Sequence, residues 1–307
     1  MSLDLNTIKD YVDENSMDIK TRMTIGGSTI SNFSIQTGVK SPSAVNIMNT
    51  DAIFQDGSLG GWTPQGTTTF SQRLLVPGDI KVQEGINPKD VNKTYMTHLV
   101  SAGSYESDLQ FAEYYTNLKL NAIISNTEKA IWQGDVTSTN GQLNRFDGFL
   151  KIIDNEATVI NGNISNATVI TKDNVIAIVD DMYAVLDTDS LEKDDLRLAV
   201  GYDVAKLYVS AHKDLDLRNY DAIAGTFEFI IPATNVKMFA TSGLNGTSRM
   251  ILTSAKNAVI GVDLENDEEA FSMRYSEEEF VVKYHANFKK AVQVAFPEQI
   301  VEFTLSV

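Results

Sequence analysis

Glu106-Ser107-Asp108-Leu109-Gln110-Phe111 opens, and Ile131-Trp132-Gln133-Gly134-Asp135 closes, the stretch on which the reading of this chain turns. Between them Phe111, Tyr115, Leu118 and Ala122 recur at i, i+4, i+7 and i+11, and Ile124, Glu128 and Ile131 continue beside them as the stripe drifts around the surface. The spacing predicts one helix from Glu106 to Asp135, with Glu113, Asn117, Lys119, Asn121 and Lys129 turned to water or to a neighbouring chain. Gly134 reads as its stop, because a residue without Cβ takes the left-handed conformation that closes a helix. At 1.5 Å per residue such a helix runs about 40 Å, long enough to serve as the spine of a domain. Trp132 is expected to anchor its end in the core.

Upstream, Leu5, Ile8 and Val12 fall at helical spacing behind Ser2 and Asn6, either of which can cap a short amphipathic helix. Gly26 to Gly61 is rich in Ser, Thr, Asn and Gly without a sustained period, and reads as an extended arm. Its Ile30, Phe33, Ile35, Val45, Ile47 and Met48 need surfaces from the rest of the subunit or from another one. Thr69 to Val76 and Asp79 to Gln83 are strand-like and are separated by Pro77-Gly78, which fits a type II turn. The resulting hairpin has no core of its own and needs a partner to lie on. Trp62 is expected to pin the arm where it meets this hairpin.

Downstream, Asn174 to Leu186 and Asp203 to His212 read as helices, with Asp173 as the cap of the first. Leu196 to Val200 and Thr226 to Ile231 read as strands, which makes the region from Phe149 to Val262 mixed α/β. The tail is β: Phe280, Val282, Tyr284, Ala286 and Phe288 alternate with polar neighbours, and Val301, Phe303, Leu305 and Val307 repeat the pattern. Phe271, Met273 and Tyr275 suggest one more strand. The spine helix is the cover available to them.

The 307 residues suffice for a large core, and 43% hydrophobic with 21% charged residues places the chain in the globular class. A net charge of −16 argues against attraction to a phosphate backbone. With no cysteine, disulfides, thiolate metal sites and cysteine nucleophiles are excluded. Met1 to Asn15 lacks the basic start and apolar run of a secretory signal, and no apolar stretch reaches membrane-spanning length, so a cytoplasmic product is expected. His98, His212 and His285 show no metal-ligand spacing. The acidic clusters at Asp180-Asp181, Asp187 to Asp195, Glu265 to Glu269 and Glu277 to Glu279 read as solvated faces, with a divalent-metal or acid–base site as the competing reading. The glycine-rich runs at Gly57 to Gly61 and Gly243 to Thr247 lack a phosphate-loop lysine.

The order of arm, hairpin, long helix, α/β insertion and returning strands resembles the major capsid protein of tailed bacteriophages (Caudoviricetes), the Johnson fold first known from phage Hong Kong 97. Ile131-Trp132-Gln133-Gly134-Asp135 followed by Phe146-Asp147-Gly148-Phe149-Leu150 is similar to that family's helix end and glycine loop. Gln36-Thr37-Gly38-Val39-Lys40, Phe54-Gln55-Asp56-Gly57 and Phe70-Ser71-Gln72-Arg73 resemble capsid proteins of phages of Bacteroidetes hosts, including crAss-like ones. Ala258 to Asp263 and Phe296 to Val301 look like the return into the peripheral domain.

The resemblance implies an α+β capsid fold with an N-terminal arm (residues 1–60) and an extended β-hairpin loop (61–100). A peripheral domain with the spine helix (101–148 and 271–307) and an α/β axial domain (149–270) complete it. It implies a non-enzymatic, cofactor-free subunit that self-assembles through hexamers and pentamers into an icosahedral shell around viral dsDNA, assembled in the bacterial cytoplasm. The DNA would be contacted weakly and without sequence specificity, no membrane is involved, and portal, scaffold or protease, and decoration proteins are the expected partners. Trp62, Phe70, Arg73, Leu75, Ile80, Lys81 and Val82 are the candidate inter-subunit contacts, and Phe111, Tyr115, Leu118, Ile131, Trp132 and Gly134 the structural spine. An encapsulin-type protein compartment and, more distantly, a metal-dependent hydrolase are the alternatives.

Overall fold

The computed structural model describes residues 21–86, 107–214, 227–263 and 271–306, apart from residues 59, 63, 277 and 280. Helix α1 (Ser28–Asn32) and strands β1 (Ser34–Thr37), β2 (Ser43–Thr50), β3 (Thr68–Leu75) and β4 (Gly78–Ile86) precede the long helix α2 (Ser107–Gln133). Then come α3 (Phe149–Asp154), β5 (Ile160–Asn161), α4 (Val175–Ala184), α5 (Thr188–Leu191), β6 (Leu196–Gly201) and α6 (Tyr202–Asp214). Strands β7 (Glu228–Ile230), β8 (Lys237–Thr241), β9 (Met250–Ser254), β10 (Ala258–Val262), β11 (Phe271–Ser276), β12 (Val281–Val294) and β13 (Val301–Phe303) complete the order.

β12 organises the first sheet. Its period-two pattern buries Val282, Tyr284, Ala286 and Phe288 and exposes Lys283 and Asn287, as half-buried strands do. Along one edge it pairs antiparallel with β4, from Val282 opposite Ile86 to Lys290 opposite Gly78. The other edge is shared by β11 and β10, and β1 joins β10 in parallel. The second sheet runs β5-β13-β9-β6-β8-β7, with β6 and β8 parallel. Its core holds Val175, Ile178 and Met182 of α4 and Val204 and Tyr208 of α6 against Leu198, Val200 and Met238.

The C-terminal end of α2 closes a second core. Trp132 and Ile131 are fully buried there with Phe33, Phe149, Phe239 and Ile260. The Trp132 ring lies 5.3 Å from Phe149 and 6.1 Å from Phe33, and Phe33 stands edge-on to Phe239 at 5.5 Å. Tilted and edge-on pairs of this kind are each worth about 0.5–1.5 kcal/mol beyond area burial. Ile30 and Phe33 thus find their surface within their own subunit.

Several expectations are corrected. Thr69–Val76 and Asp79–Gln83 do not pair with each other: β3 pairs with β2, from Ser43 opposite Leu75 to Thr50 opposite Thr68, while β4 runs on into the β12 sheet. Pro77 is a passage between two sheets, and Gly78 is required because a Cβ there would strike the Arg145 carbonyl, not for a left-handed turn. The projecting hairpin is therefore β2–β3, built from one strand of the expected arm and one of the expected loop. Val301–Phe303, expected under the spine helix in the peripheral domain, pairs with β9 and β5 in the second sheet. On α2 the buried side is Thr116, Leu120, Ile123, Thr127 and Ala130, whereas Leu118 is half exposed. Apolar residues occur on both sides of this helix, and the sheet selects the row containing Leu120. The cap of α4 is Asn174 in place of Asp173, with the Thr171 amide donating to Asn174 Oδ1 at 2.7 Å. The N-terminal helix, residues 91–99, His98 and the Phe111 side chain lie outside what is described.

Candidate assembly interface

The β2–β3 ribbon is held at its base and free beyond it. Leu75 is fully buried in a small cluster with Val39 and Ala291. Arg73 donates to the Val294 carbonyl at 3.2 Å and pairs with Glu156 at 2.5 Å, and Gln293 donates to the Leu74 carbonyl at 2.7 Å. Farther out, cross-strand bonds keep the register: Gln72 Nε2 to Asn46 Oδ1 at 2.9 Å, and the Thr50 and Thr68 hydroxyls at 3.0 Å.

Because side chains alternate across a ribbon, Met48 and Phe70, directly opposite one another, share a face with Leu74. On that face the Gln72–Asn46 and Thr68–Thr50 pairs alternate with apolar residues that are uncovered: Phe70 is 78% exposed, Met48 61% and Leu74 56%. In the connection between the strands Phe54 is 99% and Trp62 91% exposed. Trp62 therefore pins nothing within its own subunit, and a tip carrying two uncovered aromatic rings is what a contact surface offers.

Of the other expected contact residues, Lys81 is exposed, Ile80 and Val82 are partly buried, and Leu75 faces only its own core. Tyr115 is half-buried on α2, edge-on to Tyr284 at 6.4 Å, with its hydroxyl donating to Glu84 at 3.3 Å. Burial, reinforced by Glu84, raises the pKa of both phenols. Lys119, one turn on, ion-pairs with the same Glu84. Tyr114 and Leu118 remain on the exposed side of α2.

Sequence reasoning missed a buried polar clasp. Glu128 accepts from the Thr29 amide at 3.0 Å, the Thr29 hydroxyl at 2.6 Å and the Thr241 hydroxyl at 2.5 Å, and Trp132 Nε1 donates to the Thr29 hydroxyl at 2.8 Å. Lys290, fully buried on β12, donates to the Thr24 carbonyl. Its pKa is driven down to about 7 by burial, with Glu128 opposing the shift. The clasp ties residues 24–29 to α2, β8 and β12. Glu128 sat in the predicted stripe, but its partners are distant in sequence and left no local signal.

Among the described residues no group of three or more His, Asp or Glu side chains is placed to hold a metal, and no helix is long and apolar enough to cross a membrane. Asp180 is exposed on α4, its carboxyl pushed up by partial burial and by Asp181 beside it. His212 is buried against the Tyr208 ring at 4.4 Å, and burial lowers its pKa.

Neither a protein-family model nor a curated protein sequence matches the chain. Solved structures do. A chain of the satellite phage P4 procapsid, which includes the size determination (Sid) protein, superposes with a TM-score of 0.57 at 12% identity, over 94% of this chain and 90% of its own. The chain has the fold of phage capsid proteins. The capsid of an empty GTA particle matches with a TM-score of 0.53 at 9% identity, over 92% of this chain and 90% of that one. The virus-like particle from Pyrococcus furiosus matches with 0.50 at 11% identity, over 97% and 98%. At these identities the likeness speaks for this capsid-type, Hong Kong 97-like α+β fold.

Proposed function

We propose that this chain is the structural subunit of an icosahedral shell of the tailed-phage type, built to enclose double-stranded DNA. The observation that carries the proposal is the β2–β3 ribbon, anchored at Arg73 and Leu75 and presenting Phe70, Met48, Leu74 and the Phe54–Trp62 tip to solvent. A two-stranded ribbon with large apolar side chains left uncovered is marginal alone, and the same ribbon laid on a neighbouring copy completes both. Such contacts are heterologous, since tip and receiving surface differ, and heterologous contacts close into rings around five- and six-fold axes. In this reading the residues before β2 form the arm, β2–β3 carries the loop function, α2 with the β12 sheet forms the peripheral domain, and the sheet of β5, β13, β9, β6, β8 and β7 with α4 and α6 forms the axial domain. The capsid-type fold supports it, and the net charge of −16 suits a wall that surrounds DNA without adhering to it. Portal, scaffold, protease and decoration proteins are the partners such a shell requires, with assembly in the bacterial cytoplasm.

The test is electron microscopy with light scattering on the purified full chain, alone and with DNA. Closed shells or hexameric and pentameric rings support the proposal. A monomer at all concentrations overturns it. Small shells that enclose protein and no DNA would favour the encapsulin-type compartment instead.

A further inference from the structure

In an Asn-Gly pair the side-chain amide is open to attack by the next backbone nitrogen, because glycine places no Cβ beside the reacting atoms. The chain has three such pairs, Asn140-Gly141, Asn161-Gly162 and Asn245-Gly246. The fold treats them differently.

Asn140 lies in the exposed loop between α2 and α3. Its Oδ1 accepts from the Gln142 amide at 3.1 Å. That bond folds the side-chain carbonyl over the Gly141 nitrogen, draws electron density from Cγ, and sets a donor where negative charge would develop on Oδ1. The carbonyl of the Asn140–Gly141 peptide accepts from the Leu143 amide at 3.0 Å, and this polarisation makes the Gly141 N–H more acidic. Gly141 is exposed, its N–H has no partner among the described residues, and a Cβ placed on it would meet nothing within 4 Å. An activated carbonyl and a free nucleophile therefore share one turn.

The other two pairs lack the free nucleophile. Asn161 makes the same turn, accepting from the Asn163 amide at 2.9 Å. There, however, Gly162 is buried and its N–H is held by the Glu302 carbonyl of β13 at 2.7 Å. Asn245 Oδ1 is drawn to the Tyr202 amide at the start of α6, at 2.7 Å, and the Gly246 N–H donates to Asp203 Oδ2 at 3.0 Å.

We infer that Asn140 is a self-modification site, converted in the folded chain to isoaspartate and aspartate. The Gly141 nitrogen gives its proton to hydroxide and bonds to Asn140 Cγ, and the side-chain nitrogen leaves as ammonia, which closes a succinimide. Water then opens the ring. Cleavage of the new C–N bond gives aspartate, and cleavage of the original peptide C–N bond gives isoaspartate. Nothing is oxidised or reduced. Either product puts a carboxylate into the loop whose Gly141, Gln142 and Arg145 line an open cleft of about 360 Å³ against α2 and β4. Lys81, Lys119 and Arg145 stand around that cleft, and none of the described residues lining it is acidic. The conversion thus adds an anion to a cationic edge, and it does so independently of the shell reading.

The test incubates the full chain in mildly alkaline buffer, native and in urea, and follows each pair by peptide mass spectrometry, with an isoaspartyl methyltransferase counting isoaspartate. In the native chain Asn140 should convert at least about ten-fold faster than Asn161 and Asn245, a barrier difference of about 1.4 kcal/mol. In urea the three rates should converge. Equal native rates, a native preference for Asn161 or Asn245, or an Asn140 that stays intact while the urea-treated chain converts would each overturn the inference. Gly141→Ala, whose Cβ the loop accommodates, should slow the conversion several-fold. An unchanged rate in that variant, or aspartate as the sole product in the unmodified chain, would mean direct hydrolysis of the side chain and would overturn the ring-closing route.

Discussion

Gly148 donates its amide to the Gly134 carbonyl at 2.9 Å, and the two backbones touch where α2 ends and α3 begins. A Cβ on Gly148 would fall 2.6 Å from both the Trp132 carbonyl and the Gly134 amide, and one on Gly134 would fall 2.5 Å from the Phe146 carbonyl. Backbone cannot yield as a flexible side chain can. Gly134→Ala and Gly148→Ala should each destabilise the fold by at least about 2 kcal/mol, in the overpacking range. Urea denaturation of the unassembled subunit measures this, and a loss below about 0.5 kcal/mol would show that the contact relaxes at no cost.

The Glu128 clasp gives a second expectation. Glu128→Ala strips the acceptor from the Thr29 amide and from two buried hydroxyls. Leaving buried donors without an acceptor costs about 1–3 kcal/mol for each group. Glu128→Gln, which keeps the shape, should cost about 1–3 kcal/mol. In a Trp62→Phe background the remaining Trp132 reports directly, because its indole shares the Thr29 hydroxyl. Its emission should shift to the red in Glu128→Ala, and an unshifted spectrum would separate the clasp from the aromatic core.

The parts of this fold that were legible in the sequence are those decided locally. The alternation of Val282, Tyr284, Ala286 and Phe288 specifies a half-buried strand, and the run into Trp132 specifies a helix that ends in a core. Pairing is not local. Thr69–Leu75 reads equally well against β4 next door or β2 farther back, and the choice rests on Leu75, Val39 and Ala291 packing together and on Arg73 reaching Val294 and Glu156. Gly134 and Gly78 teach a related lesson. A glycine required by close approach carries the same letter as one required by a left-handed turn, and both here are of the first kind. In the candidate interface, Phe70, Trp62 and Met48 were all visible as apolar residues in weakly apolar stretches, whereas the place of Met48 opposite Phe70 depends on the pairing of β2 with β3.

Lys290 makes stability depend on pH in a defined direction. Burial lowers its pKa from 10.5 to about 7, so between those values the folded chain holds fewer protons there than the unfolded one. Stability therefore rises with pH across that window, with a limiting slope of about 1.4 kcal/mol per pH unit, and the penalty is full below pH 7. Tyr115 and Tyr284, with raised pKa values, act oppositely and lower stability above about pH 10. Urea midpoints from pH 6 to 11 should pass through a maximum near pH 10. Lys290→Met should flatten the rising limb and stabilise the chain at pH 6, and an unchanged rising limb in that variant would assign the slope to another group.

The ribbon separates folding from assembly. Phe70, Met48 and Trp62 contribute little to the core of their own subunit, because their faces are uncovered. Phe70→Ser, Met48→Ser and Trp62→Ser should each leave subunit stability within about 0.5 kcal/mol, as surface changes do. If the ribbon lies on a neighbour, the same substitutions remove buried anchors of a contact in which a few aromatic side chains carry most of the energy, about 2 kcal/mol or more each. Light scattering should then show the assembly threshold moving up by a factor of ten or more, about 1.4 kcal/mol per decade. Arg73→Ala supplies the contrast: it frees the ribbon base from Val294 and Glu156 without touching the exposed face, so it should raise the threshold less than Phe70→Ser. Equal thresholds for Phe70→Ser, Trp62→Ser and the unmodified chain would take the ribbon out of the assembly contact.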